Sequence, residues 1–119
     1  MATSTKKPDQ FLPLTPRIFH ILLALKDGTQ HGYAIMKEVE SRSEGRVRIG
    51  PGTLYEGISR LVKGGLLREV KGGASAIVDR RRRRFYKLTA LGRKVMRLEA
   101  QRMADLVGFV REAELLVGG

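Results

Sequence analysis

The 119-residue chain contains no cysteine. That excludes disulfides, thiolate catalysis, thiol redox sensing and cysteine-ligated zinc, and it fits a reducing compartment. Histidine is almost as scarce. His20 and His31 are the only two, with no cysteine near either. A metal site needs more ligands than that, so both are expected to be structural. Long apolar runs are missing too. The longest is Ile21–Leu25, whereas a membrane span takes about 20 apolar residues. Met1–Gln10 is polar and lacks the apolar centre of a secretory signal. A soluble, cytoplasmic chain with no membrane partner is therefore expected. No paired carboxylates, nucleophile elbow or phosphate-cradling loop can be found, and Gly72-Gly73 reads as a turn. Neither an enzyme nor a metal or cofactor is expected.

Acidic residues are also few, 12 against 23 basic ones, for a net charge of +11. The excess is uneven: +1 in residues 1–10, +3 in 11–65, +6 in 66–88 and +1 in 89–119. Positive charge concentrated in one short stretch implies a polyanionic partner, nucleic acid before a membrane surface. The length suits a single compact domain.

Residues 1–10 offer nothing to bury and read as a flexible arm. A first helix opens at Leu14 or Thr15, with Pro16 in its first turn. It places Ile18, Ile21, Leu22 and Leu25 on one face and ends at Asp27-Gly28. A second runs from His31-Gly32 to about Ser43, with Ile35, Met36 and Val39 inward. Arg46 to Ile49 is a short extended piece. A third helix opens at Gly50-Pro51-Gly52, buries Leu54, Ile58, Leu61 and Val62, and stops at Gly64-Gly65. Leu66–Val70 and Arg82–Leu88 read as the strands of a hairpin, joined by a glycine-bearing loop over 71–79. Thr89 can cap a last helix that continues to about Val117. The expected fold is mainly α with a small β-hairpin: a winged helix-turn-helix over 11–88, then a long C-terminal dimerisation helix over 89–119.

In that plan the third helix enters the major groove and the hairpin, the wing, lies beside it. Thr53, Tyr55, Arg60 and Lys63 on its polar face become candidates for DNA contact. Tyr55 could instead pack in the core, and Thr53 could serve only as a helix cap. Lys71 and the run Arg80, Arg81, Arg82, Arg83 and Arg84 supply wing cations. Successive strand residues point to opposite faces, so about three of the five arginines share a face. The bland alternative for such a run is a solvated surface.

The last helix carries an apolar stripe, Leu91, Val95, Leu98, Leu106, Phe109, Ala113 and Leu116, which Arg102 interrupts. A helix of about 28 residues is roughly 42 Å long, more than a domain of this size can cover. The stripe is the candidate dimer seam, since most soluble oligomers are symmetric dimers. Folding back over the first helix is the alternative.

These segments resemble the PadR family of transcriptional regulators. His31-Gly32-Tyr33-Ala34-Ile35 is similar to the family's second-helix opening, and Pro51-Gly52-Thr53-Leu54-Tyr55 to its recognition-helix opening. Leu61 through Gly65-Leu66-Leu67 is similar to its helix-to-strand turn. Arg84-Phe85-Tyr86-Lys87-Leu88-Thr89-Ala90-Leu91-Gly92 resembles the second wing strand entering the last helix. The resemblance spans roughly residues 12–115. It implies a homodimer joined by one C-terminal helix, binding double-stranded DNA at an inverted-repeat operator, usually as a repressor, and released by a small-molecule effector. By position it implies DNA contacts from Thr53, Tyr55, Lys71 and the arginines from Arg80. Gly50 departs from the polar cap common in the family. The lack of tryptophan removes the aromatic stacking that some members use to hold flat drugs. The alternatives are a non-specific architectural nucleic-acid binder, which five adjacent arginines would suit, and a protein–protein adaptor using the long helix.

Overall fold

The computed structural model describes residues 6–71 and 84–116. A 3-10 turn at Pro8–Phe11 precedes α1 (Pro16–Ala24), β1 (Gln30–His31), α2 (Gly32–Arg42), α3 (Pro51–Lys63), β2 (Leu67–Val70), β3 (Phe85–Leu88) and α4 (Ala90–Glu112). Three helices, a wing and a closing helix make the expected winged helix-turn-helix. Each helix starts where its local chemistry allows. The Thr15 hydroxyl accepts the Ile18 N–H at 3.2 Å and the Thr89 hydroxyl accepts the Gly92 N–H at 2.9 Å, both satisfying first-turn donors. His31 Nδ1 accepts the Ala34 N–H at 3.2 Å, so this histidine is structural, as expected. Gly50 gives α3 no side-chain cap, and Pro51 occupies its first turn.

Apolar faces of α1, α2 and α3 meet in one core with the wing base and the start of α4. Ile21, Leu22, Leu25, Ile35, Leu54, Leu66, Leu67 and Val95 are almost fully buried there. The wing is more than a hairpin. β3 lies between β2 and β1, antiparallel to both, with Glu69 opposite Tyr86 and Gln30 opposite Tyr86 on the other edge. The two-residue β1 is too short to show a period in the sequence. β3 starts at Phe85, and Arg82 and Arg83, expected at its start, lie outside the described residues.

Two further expectations are corrected. The chain is already structured at Pro8–Phe11, where the Gln10 side chain accepts the Lys7 N–H at 2.8 Å. Phe11, Leu12 and Leu14 pack on the core beside α4, so the polar appearance of residues 1–10 overstates the arm. At the other end α4 stops at Glu112 rather than near Val117. Glu114 takes a left-handed φ of 59°, and the Leu115 N–H returns to the Val110 carbonyl at 3.2 Å. This closure ends the helix, although the apolar spacing in the sequence continues past it. Over 23 residues α4 is about 34 Å long.

The junction between α3, β2 and α4 is the tightest point of the fold. The Leu66 carbonyl accepts the Thr89 N–H at 3.0 Å and the Thr89 hydroxyl at 3.1 Å, and that hydroxyl also reaches the Gly65 carbonyl at 2.6 Å. Gly92 sits directly against this carbonyl: a Cβ there would fall 2.1 Å from the Leu66 oxygen. Halfway along α4, Glu99 is completely buried. Arg102 binds its two carboxylate oxygens at 2.7 and 2.9 Å, which explains the arginine that breaks the apolar stripe. The Leu14 N–H also donates to this carboxylate. Arg102 holds the Glu99 pKa below its ordinary value of 4.5, outweighing the opposing effect of burial.

Two predictions follow from these contacts. Gly92→Ala should lower unfolding stability by about 3 kcal/mol, since backbone must move to admit the methyl group; urea unfolding followed by circular dichroism checks it. Glu99→Gln should lower stability at neutral pH by about 1–3 kcal/mol through loss of charge-assisted hydrogen bonds. Because the folded-state pKa is depressed, this contribution is present above the unfolded value near 4.5 and fades as pH falls through the folded value. Melting curves of wild type and Glu99→Gln should therefore converge on acidification below about pH 4.5, and parallel curves would remove Glu99 as the cause.

Candidate nucleic-acid interface

α3 buries Leu54, Gly57, Ile58 and Leu61 against the core. At about 100° per residue, the line directly opposite is Gly52, Glu56, Ser59 and Lys63, and all four are exposed. Thr53, Tyr55 and Arg60 are also exposed but occupy the two flanks of that line. The structure thus leaves one whole face of α3 bare, with polar groups along its length and the capless N-terminus at one end. Arg60 approaches Glu56 at 3.8 Å one turn away, which partly neutralises it. Lys63 makes no ion pair among the described residues.

Tyr55 is neither a core residue nor a freely projecting one. It is 45% exposed, yet its ring lies over the first residue of α2. A Cβ on Gly32 would meet the Tyr55 hydroxyl at 2.2 Å and the ring carbons just behind it. Glycine at this position lets the recognition helix seat its tyrosine on α2. The wing base adjoins the same spot. Tyr86 is buried, and its phenol pKa is raised above 10.0 by burial first and by Glu69 second, with Arg84 opposing and Tyr55 adding to the rise. Arg84 donates to the Tyr86 side chain and stands 3.8 Å from Glu69 across the strand pair. His31 meets Phe85 edge to face, with centroids 5.5 Å apart. Tyr55 of α3, Glu69 of β2 and Arg84 thus all lie within electrostatic reach of Tyr86 at the wing base.

Of the wing cations, Lys71 is exposed at the end of β2 and Arg84 is exposed but anchored by Glu69. Arg80, Arg81, Arg82 and Arg83 lie outside the described residues. The candidate dimer residues divide. Val95 is fully buried in the chain's own core, and Leu91 packs against it, so these two are committed within the protomer. Their even spacing with the rest of the stripe hid this, because periodicity shows a face but not what covers it. Leu98 is half-buried. Leu106 and Phe109 are 52% and 65% exposed. Ala113 is the C-cap of α4 and Leu116 lies past its end, both exposed. Glu99 and the Glu56–Arg60 pair escaped the sequence reading. For Glu99 the available signal was Arg102, three residues on and equally out of place in an apolar stripe.

No helix among the described residues is long and apolar enough to cross a membrane. No group of three or more histidine, aspartate or glutamate side chains among them could hold a metal ion.

Known proteins share this arrangement. The chain is similar to a transcriptional regulator from Clostridium thermocellum, with 24% identity and a TM-score of 0.67 over 80% of this chain and 86% of that one. A PadR family transcription regulator from Clostridium difficile matches at 20% identity with a TM-score of 0.66, over 80% and 94% of the two chains. ZitR from Lactococcus lactis, in complex with DNA, matches at 15% identity with a TM-score of 0.60, over 99% and 73%. At these identities the likeness is one of fold. In sequence, the chain is 39% identical over 93 residues to an uncharacterised 37.1 kDa protein in a transposon of Streptomyces fradiae. The match takes in 78% of this chain but spans only 24% of that relative. Residues 21–98 match the transcriptional regulator PadR-like family. That stretch runs from the core of α1 through the recognition helix and wing into α4, and the chain belongs to the PadR-like family of transcriptional regulators.

Proposed function

We propose that this chain is a sequence-specific DNA-binding regulator, a repressor that reads an inverted-repeat operator as a homodimer. The bare outer face of α3, held beside the wing, carries the reading. A helix with one face in the core and the other exposed and polar suits the major groove, and its uncapped N-terminus favours phosphate. Thr53 and Tyr55 lie on its flanks, where they meet base edges and the adjoining backbone, while Arg60, Lys63, Lys71 and the arginines 80–84 supply charge. The likeness in fold to ZitR, whose structure contains DNA, supports this assignment.

Dimerisation through α4 belongs to the same reading. Beyond Arg102 no described residue of α4 is buried, yet Leu106, Val107 and Phe109 are large and apolar. Ten residues of exposed amphipathic helix are marginal alone in water, and a second copy would cover them. Nothing approaches within 4 Å of a Cβ on Gly108 in the single chain, so close crossing by a partner helix gives this glycine a use. Release by a small-molecule effector completes the proposal. One cleft lies between α3 and α1 and a second between the start of α1 and the α2–α3 connection, whereas α1 and α4 pack directly on each other.

The main test is selection from a random duplex pool at about 0.15 M salt, near the physiological ionic strength. The expected product is an inverted repeat with half-sites about one helical turn apart. Retention without enrichment would replace the repressor with an architectural binder, the reading that the arginine run favours. For the dimer, Leu106→Glu and Phe109→Glu should each halve the mass measured by light scattering without loss of helix signal. Gly108→Ala separates the cases further: in a monomer it stabilises α4 by up to about 1 kcal/mol, and at a close crossing it weakens the dimer.

A further inference from the structure

The recognition helix has two flanks, and the wing serves only one. On that flank Tyr55 lies within electrostatic reach of Tyr86 at the wing base. On the other, Thr53, Glu56 and Arg60 share a cleft of about 180 Å³ with Thr15, Arg17 and Ile18 of α1. A second cleft of about 440 Å³ shares Thr15 and Arg17 with the first and adds Pro16, Arg46, Val47 and Arg48. Arginines from the start of α1 and from the α2–α3 connection therefore line one hollow, which adjoins the cleft beside α3 through Thr15 and Arg17. No carboxylate lines it.

These arginines are not engaged in holding the fold together. Arg17 and Arg46 make no side-chain hydrogen bond or ion pair among the described residues. Arg48 approaches Glu40 only at 3.5 Å, with 75% of its side chain exposed. Three cations around one hollow repel one another and stay together at a cost unless an anion lies between them. Arginine in particular presents a donor fork that fits phosphate oxygens.

The partner follows from the position of the hollow. The major groove is about 12 Å wide and a helix with its side chains is about 10–12 Å across. A helix filling the groove has a phosphate backbone on each side. We propose that Arg17, Arg46 and Arg48 form a second phosphate clamp, gripping the backbone on the rim of the groove opposite the wing. The inference rests on the DNA-binding reading and adds to it a surface that no charge run in the sequence marks. The clamp contributes affinity and fixes the tilt of α3, but it reads no bases.

The test measures affinity of the full chain for the selected operator and for an unrelated duplex across a salt series. Wild type is compared with Arg17→Ala, Arg46→Ala, Arg48→Ala, the triple variant, and Lys71→Ala on the wing. Thermal melting checks that each variant is folded, as their exposure predicts. Each single change should weaken both duplexes by a similar factor and reduce the salt slope by about 1, and the triple by about 3. Phosphate ethylation should interfere on both groove rims for wild type and only on the wing side for the triple variant. Unchanged salt slopes in all three single variants, with Lys71→Ala still lowering it, would overturn the clamp while leaving DNA binding intact. A wild type that binds neither duplex would overturn both. Inorganic phosphate at matched ionic strength should not displace DNA. Displacement that disappears in Arg46→Ala would make the hollow a small-anion site instead.

Discussion

The structure depends most on the close approach of α4 to the Leu66 carbonyl. That oxygen ends the turn after α3, starts the wing and anchors the first turn of α4, all within one hydrogen-bond radius. Thr89 binds it twice and reaches the Gly65 carbonyl as well, while Gly92 leaves the space that lets the helix come so near. The recognition helix, the wing and the C-terminal helix cannot tilt independently when they share this point. α3 and α4 consequently keep a set angle to one another, which the proposed two-fold reading of spaced half-sites requires.

Around that junction the chain separates buried charge from exposed charge. Glu99 is the one acidic group taken fully into the interior among the described residues, and it is tolerated because Arg102 and the Leu14 N–H satisfy it. It ties the N-terminal segment to α4, where that helix leaves the core. Up to Glu99 the helix packs on its own domain, and beyond Arg102 none of its described residues is buried. Exposed cations on and beside α3 include Arg17, Arg60 and Lys63. Tyr55 is seated on Gly32 of α2, and the outer line of the helix stays open. Packing and the proposed recognition thus fall on different faces of the same thirteen-residue helix.

Much of this was legible in the residue order. Pro16, Pro51 and Thr89 mark helix starts through chemistry confined to one turn, and each stands where a helix begins. The core faces of α1 and α3 appear as spacings of three and four because burial on a helix is periodic. Other features depend on partners far away in the chain. Gln30–His31 is a strand only because β3 offers it an edge. Pro8–Phe11 is ordered because α4 and the core receive Phe11 and Leu12. Val95 and Phe109 look alike in a stripe, and only the packed structure shows that one is enclosed and the other bare. The end of α4 was misplaced because apolar spacing persists through Leu116 although the backbone turns left-handed at Glu114.

By itself the sequence determined the order of the four α-helices and the two main wing strands, the winged-helix plan and the basic character, because these follow from local capping, periodicity and charge. Tertiary structure decided which faces remain available. It buried Val95 and Glu99, laid Tyr55 against Gly32, and brought Arg17 beside Arg46 and Arg48. Such pairings join residues distant in the chain, and no local pattern encodes them. They arise only when packing of the apolar faces sets the distances over which charge and hydrogen bonds can act.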